Sequence, residues 1–465
     1  MHIMLNLSII LAVMSLKCTG EKDPVFSGFQ PAQQKGFHPG YQEYCALDRT
    51  ANFEELAVQA SFYGDYDRAI HFATLAAPYP DGPALRFEGV GEAPEALAAA
   101  QEQLKKLLQE GELHQLLPAT GEPPEAMAGK LLALLQGPAS PEEAFAGHRM
   151  ASALDYIVER AGHYHFTLIN EAHYNGQHRA FTRALLRPLW EKGYRYLALE
   201  TLSHHDPALA ARGYPVRGSG PYLPEVAFGN LVREALALGY TLVPYEIQDE
   251  DAEAVQSRQA YNALRDSIQA HNIFKRTLQQ DAQGKVLVHA GYGHIFKSGD
   301  REYLPMGLQL RRLARQDVLS IDQETMTEKR DERKQSAYYR YVQTALASSA
   351  PTVFLDSSSQ ALVVGLQALG VDIQVYHPPT VFHQGRPEWL MGPQARWCEL
   401  PTVLLEKEGF LLQAVYPGEP AEVVPVDQLI ITPESRALIL PPGRFELRLI
   451  DCQGALRGTM EVSIP

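Results

Sequence analysis

Zinc knuckles, redox dithiols and disulfide frameworks need cysteines in company, and this chain has four in 465 residues, at 18, 45, 398 and 452. They form no Cys-x-x-Cys and no Cys/His cluster, so neither a zinc site nor a disulfide framework is expected. A cationic surplus is also missing: 41 Lys and Arg stand against 55 Asp and Glu, a formal charge of -14, and the basic residues are not segregated. Such a surface repels phosphate backbones and excludes nucleic acid as a partner. Gly218-Ser219-Gly220 has no following Lys and no preceding strand, so it is not a phosphate loop. No Gly-x-Ser-x-Gly elbow surrounds Asp356-Ser357-Ser358-Ser359, which reads as a helix N-cap rather than a nucleophile. What remains is a chain 45% apolar and 21% charged. That composition excludes disorder and collagen-like repeats, and the length allows about three domains.

The first local feature is an apolar run, Ile3 to Leu16, ending at Lys17-Cys18 before Glu21-Lys22-Asp23. It is short for a bilayer span and fits a signal-peptide core over residues 1–18. A cysteine directly after such a core resembles a lipoprotein lipobox, although Lys17 stands where a small residue is usual. Lipidation at Cys18, ordinary cleavage and an uncleaved anchor are all compatible with it. Export to the periplasm or outer membrane follows, with membrane attachment through Cys18 in the first case.

Over residues 40–160 apolar residues recur at helical spacing in Phe53 to Ala76, Pro94 to Gln109, Pro124 to Leu135 and Pro141 to Arg160. Gly64 to Ile70 looks like the turn of one tetratricopeptide hairpin, but a single copy builds no solenoid, so a helical cap packed on the next domain is expected. Over 163–395 the pattern changes to short apolar runs separated by amphipathic stretches. The runs are 166–169, 196–199, 241–244, 286–288, 318–321, 352–355 and 373–376. This alternation predicts an α/β fold with a mostly parallel sheet flanked by helices and buried on both faces. Pro244 belongs at a strand's end, because proline removes a ladder hydrogen bond. Over 400–465 strand candidates punctuated by Pro and Gly (403–405, 410–415, 428–431, 437–440, 445–450 and 458–462) predict a small antiparallel β-sandwich.

Polar residues terminate the central strand candidates. The first ends in Asn170-Glu171-Ala172-His173, the second in Glu200, the third in Tyr245-Glu246, and the fourth in His289 followed by Gly291-Tyr292-Gly293-His294. In an open parallel sheet the carboxyl ends of the strands share the edge where ligands bind, so these groups are expected to converge. Clustered carboxylates and imidazoles support two chemistries. One is general acid–base activation of water with a cation steadying the oxyanion. The other is ligation of a divalent metal by Glu171, His173, Glu200 and His294. Glu246 is a weaker candidate, and His289 reads as a core histidine as readily as a ligand. His204-His205-Asp206 reads as a polar loop, and His377, His383 and Arg386 border a Pro-rich segment on the pocket rim.

Leu168-Ile169-Asn170-Glu171-Ala172-His173, then Gly176-Gln177-His178 and, after a helix, Tyr196-Leu197-Ala198-Leu199-Glu200 resemble the Gly-Glu-x-(x)-His opening and strand-end Glu of erythromycin esterases and ChaN-like lipoproteins. Arg265-Asp266-Ser267-Ile268-Gln269-Ala270-His271-Asn272 is similar to an erythromycin-esterase helix, with Gln269 and His271 replacing Met and Glu. Val288 to His294 and Met306-Gly307 also fit. The resemblance covers roughly residues 165 to 310, and Asn170 stands where the family has Gly. It implies a catalytic opening at Glu171 and His173, a second acid or metal ligand at Glu200, an anion-stabilising cation at Arg265 and a water-activating base at His294. Arg265 and Asn272, seven residues apart, fall on one helix face. Two functions follow: an exported hydrolase of an ester or amide in a small-molecule or peptide substrate, or a non-enzymatic envelope protein binding a metal or haem, with His178 or Tyr174 as axial ligand. A third reading is a scaffold whose catalysis has decayed.

Overall fold

A computed structural model describes residues 24–47, 52–77, 140–248, 255, 257–299 and 303–465. The signal-peptide segment with Cys18 and the helices expected at Pro94 to Gln109 and Pro124 to Leu135 lie outside these residues.

The centre is a six-stranded sheet of β1 (Phe166–Glu171), β2 (Tyr194–Leu199), β3 (Thr241–Pro244), β4 (Lys285–Gly291), β5 (Leu319–Asp322) and β6 (Ile373–Gln374). Every pairing in it is parallel, and the order is β6-β5-β1-β4-β2-β3. The connecting helices include α1 (Gly176–Glu191), α2 (Val226–Leu238), α3 (Arg258–Arg276) and α4 (Met306–Ala314). Both faces are covered, which explains the near-continuous apolar runs. Phe166 and Leu168 face one core with Ile273 and Leu310, while Ile169 faces the other with Leu185 and Leu231. That alternation is the two-residue period of a strand. Pro244 closes β3, an edge strand, where no neighbour needs its missing N–H.

Three expectations are corrected. Thr352–Leu355 is a strand, but it pairs antiparallel with Arg149–Ser152 in a separate two-stranded sheet. The helix expected over Pro141 to Arg160 is therefore split into Pro141–Phe145, that strand, and Ala153–Ala161, whose N-terminus is capped by the Ser152 hydroxyl. In the C-terminal region Thr402–Leu405 is a short helix instead of a strand.

The remaining C-terminal strands form the antiparallel layers foreseen. One sheet contains 411–415, 427–430, 443–450 and 456–464, and the pair 396–399 with 437–440 shares its apolar core. The N-terminal segments Val25–Phe26 and Gln30–Gln34 add to the edge of the larger sheet by pairing with 456–464. The helices Pro39–Ala46, Phe53–Phe62 and Tyr66–Ala76 then pack on its Leu411, Ile450 and Leu456. A disulfide, Cys45–Cys452, fastens this unit, where the cysteine spacing suggested no disulfide framework. The two residues are 407 apart in sequence, so no local spacing could announce the bond. The N-terminal cap thus rests on the sandwich as well as on the central domain, where Tyr174 and Tyr222 reach the same apolar cluster.

Candidate active site

The carboxyl edge of the sheet brings Glu171, His173, Glu200, Arg265 and His294 into one neighbourhood. β1 ends at Glu171, which is 1% exposed and accepts four hydrogen bonds. Arg179, on the first turns of α1, donates to it from Nε at 2.7 Å and from an Nη at 2.8 Å. His289 Nε2 lies at 2.8 Å and His173 Nδ1 at 3.0 Å. Arg179 is itself sealed, with further bonds to the His173 carbonyl (2.6 Å) and Glu225 (3.3 Å) and its guanidinium over the Phe228 ring. Burial alone would raise the Glu171 carboxyl; the charge and hydrogen bonds of Arg179, with smaller help from His289 and His173, hold it well below the usual range. Glu171 is therefore an ionised anchor and not a proton acceptor.

Its consequence is the orientation of His173. With Nδ1–H donating to Glu171, the lone pair is on Nε2, and among the described residues nothing hydrogen-bonds that atom. The ring is stacked on Tyr222 (4.0 Å between centroids, 15° between planes) and meets the edge of Tyr292 at 5.0 Å. Gly291 is what lets it approach. A Cβ there would stand 2.4 Å from His173 Cε1, 2.7 Å from Nε2 and 3.3 Å from Glu200 Oε2. The imidazole and the Glu200 carboxylate thus flank one backbone position. Tyr292, the next residue, has a φ of +45°, a left-handed conformation unusual for an aromatic side chain.

Glu200 accepts from the Gly291 N–H at 2.5 Å and from Arg265 at 2.5 Å. Burial works against its charge, but His294, Arg265 and His173 outweigh burial and bring it down to about 2. Arg265, on α3, also holds both oxygens of Glu246, one of them at 2.9 Å, and donates to His294 Nε2 at 2.9 Å. Four of its five N–H groups are so occupied. Asn272, two turns on, shares the sheet-facing side and bonds the Tyr245 carbonyl at 3.1 Å.

His294 differs from its expected role. Its Nδ1 faces the buried Asp266, which also accepts from Tyr303, and its Nε2 accepts from Arg265. Burial lowers the ring's proton affinity, but the Asp266 hydrogen bond and the Glu200 and Asp266 charges leave it raised. The Arg265 guanidinium opposite Nε2 works against that rise, and the ring has both nitrogens engaged, one by Asp266 and one by Arg265. Its position makes it a positioning group, and the open nitrogen at this edge belongs to His173.

The metal reading does not fit these donors. Arginines occupy Glu171 and Glu200, Asp266 and Arg265 occupy His294, and among the described residues no group of three or more His, Cys, Asp or Glu could hold a metal ion. Nor do the axial ligands named for haem fit. His178 is fully buried, with Nδ1 taking the Ala172 N–H at 3.1 Å and Nε2 beside Asn175 at 3.1 Å. The Tyr174 hydroxyl is engaged by Lys329 at 2.6 Å.

Glu200, Tyr222, Glu246 and Arg265 open onto a cleft of about 470 Å³, also lined by His204 and His205. His204 is tied to the Glu246 carbonyl at 2.9 Å. Of the other candidates, Arg386 is buried and paired with Asp427, His383 stands against Trp397, and Asp356 caps its own turn by accepting from the Ser358 and Gln360 N–H groups. The residues that the sequence did not reveal are Arg179, Glu225, Asp266 and Tyr222. Arg179 had one usable signal: it lies three positions before Thr182 and seven before Leu186, both on the buried face of α1.

Neither a family model nor a curated protein sequence matches the chain. Solved structures similar to it include the type III effector HopBA1 (16% identity, covering 41% of this chain and 94% of that one, TM-score 0.26). A structure of bacterial protein toxins has 11% identity, 66% and 68% coverage and a TM-score of 0.27. RRSP, a MARTX toxin effector domain from Vibrio vulnificus CMCP6, has 12% identity, 63% and 64% coverage and a TM-score of 0.27.

Proposed function

We propose that the protein is an exported hydrolase of ester or amide bonds, related to erythromycin esterases, in which His173 is the general base. The observation that carries this reading is the pairing of His173 Nδ1 with a permanently ionised Glu171, which leaves Nε2 open at the strand edge. Water bound there gives its proton to Nε2 as its oxygen attacks the carbonyl carbon. The imidazolium that forms is stabilised by Glu171 behind it and Glu200 beside it. The remaining Arg265 N–H supports the oxyanion, and the same imidazolium then returns the proton to the leaving group. The Cys45–Cys452 disulfide supports export, because such bonds persist in oxidising compartments.

The test is hydrolysis of a panel of nitrophenyl esters and peptide amides by wild type and His173→Ala. Turnover should fall on the order of 10²- to 10⁴-fold in the variant, the range of a lost general base. The variant also loses the stacking on Tyr222 and the bond to Glu171, so its fold is checked by circular dichroism and His173→Gln, which keeps a polar side chain of similar size, is assayed beside it. Equal turnover in a folded His173→Ala protein would refute the assignment.

A further inference from the structure

The helical cap meets the carboxyl edge of the sheet at two points. Glu54, on the helix Phe53–Phe62, accepts from the Tyr292 hydroxyl at 3.2 Å, but it is exposed to solvent. Tyr66, the first residue of the helix Tyr66–Ala76, is buried, and its hydroxyl donates to Glu225. Tyr66 is the informative contact, because Glu225 is one of two carboxylates that share Arg179.

Gly176, which opens α1, makes the approach possible. A Cβ there would stand 2.7 Å from the Trp389 ring, 3.0 Å from the Tyr66 ring and 3.1 Å from Glu225 Oε1. Trp389 meets the Tyr66 ring edge-on at 4.8 Å and fixes its direction. Glu225 caps α2 by accepting from the Ala227 and Phe228 N–H groups, each at 2.9 Å. Its Oε2 also takes an Arg179 Nη1 bond at 3.3 Å, and its Oε1 takes the Tyr66 hydroxyl. Burial and the neighbouring Glu225 charge hold the Tyr66 phenol well above its ordinary range, so it keeps its proton and acts as a donor.

One guanidinium thus faces two buried carboxylates, and it leans toward Glu171, with bonds of 2.7 and 2.8 Å against 3.3 Å to Glu225. A buried carboxylate needs donors to replace its lost hydration, and the two compete for the same arginine. Tyr66 supplies one such donor to Glu225 from outside the central domain. Without it, Glu225 draws on Arg179 at the expense of Glu171, the residue that holds His173 Nδ1.

We infer that Tyr66 is a positioning residue for His173: its hydroxyl, carried in by the helical cap, satisfies Glu225 and so leaves Arg179 committed to Glu171. The inference rests on the reading of His173 as the base.

Tyr66→Phe keeps the ring against Trp389 and deletes only the donor. The full chain is labelled with isotopic histidine, and the His173 ring nitrogens, assigned by their absence in His173→Gln, are followed in proton–nitrogen correlation spectra. Tyr66→Phe and Glu225→Gln should each displace the His173 Nδ1 resonance. Added to Glu225→Gln, Tyr66→Phe should displace it no further, because the competing charge is already gone. Turnover of the best substrate in the ester and amide panel should fall about tenfold in Tyr66→Phe, with KM changed less than about twofold, since the hydroxyl acts through Glu225, Arg179 and Glu171. An unmoved resonance in folded Tyr66→Phe, an equal displacement with and without the Glu225 charge, or a loss confined to KM would each overturn the inference. Should Tyr66→Phe not fold, an unmoved resonance in Glu225→Gln overturns it as well. If wild type hydrolyses nothing on the panel, the hydrolase reading fails, and the resonances alone decide whether Tyr66 orients His173.

Discussion

Two arginine–carboxylate pairs stand side by side at the sheet edge and do opposite work. Glu171–Arg179 is sealed, with side chains 2% and 0% exposed, whereas Arg265, 21% exposed, joins Glu200 to Glu246 at the wall of an open cleft. The sealed pair has every acceptor committed and transmits its charge through His173. The open pair leaves one Arg265 N–H without a partner among the described residues. The lesson is that a strand-end glutamate has no fixed role. Solvent access and the number of committed partners decide whether it anchors a base or borders a ligand.

The comparison is broken most severely at Arg179. Arg179→Met strands Glu171 as a buried charge and should cost about 3–5 kcal/mol in urea unfolding. The matching change in the open pair, Arg265→Met, should cost under half of that while removing more activity. Equal stability losses would dissolve the distinction between the pairs.

A pH series sharpens it next. The folded-state pKa of Glu200 is depressed to about 2 from an ordinary 4.5. Its contribution to stability is thus present above about pH 4.5 and is lost as pH falls toward 2, where the unfolded chain binds the proton more readily. The shift corresponds to roughly 3 kcal/mol. Glu200→Gln should be less stable than wild type by about that amount at pH 6, and the gap should narrow to under about 1 kcal/mol by pH 2.5 and vanish only below pH 2. A gap independent of pH would mean that packing, and not charge, holds this residue.

Gly291→Ala, the mildest change, tests whether the two pairs must share one backbone position. The new methyl would meet the imidazole carbon at 2.4 Å. Turnover is expected to fall about tenfold by displacement of the base, on the scale that a misplaced catalytic group produces. The unfolding free energy should change by about 1 kcal/mol, as for other overpacked positions. Unchanged turnover would place the working nitrogen elsewhere.

Much of the fold was legible because a two-face-buried parallel strand writes itself as an apolar run, and six of the seven runs are strands of the central sheet. The seventh, Thr352–Leu355, reads identically but pairs with Arg149–Ser152, since periodicity reports burial and is silent on the partner. Glu171, His173, Glu200 and His294 were visible for a related reason: strand ends in such a sheet converge whatever lies between them. The division of labour was not visible. His294 carries the same glycine-flanked signature as a base, yet Asp266 and Arg265 take both its nitrogens. Arg179, Glu225 and Tyr222 reach the site from helices and loops whose approach no spacing encodes.

By itself the chain determined the layered α/β core, the C-terminal strands and the edge at which ionisable groups gather, because these follow from which residues avoid water and how often they recur. Only the tertiary structure decided which nitrogen is open, which carboxylates are committed, and that Cys45 meets Cys452. Those outcomes depend on contacts between segments tens to hundreds of residues apart, and a hydrogen bond is fixed by tenths of an ångström that local pattern does not carry.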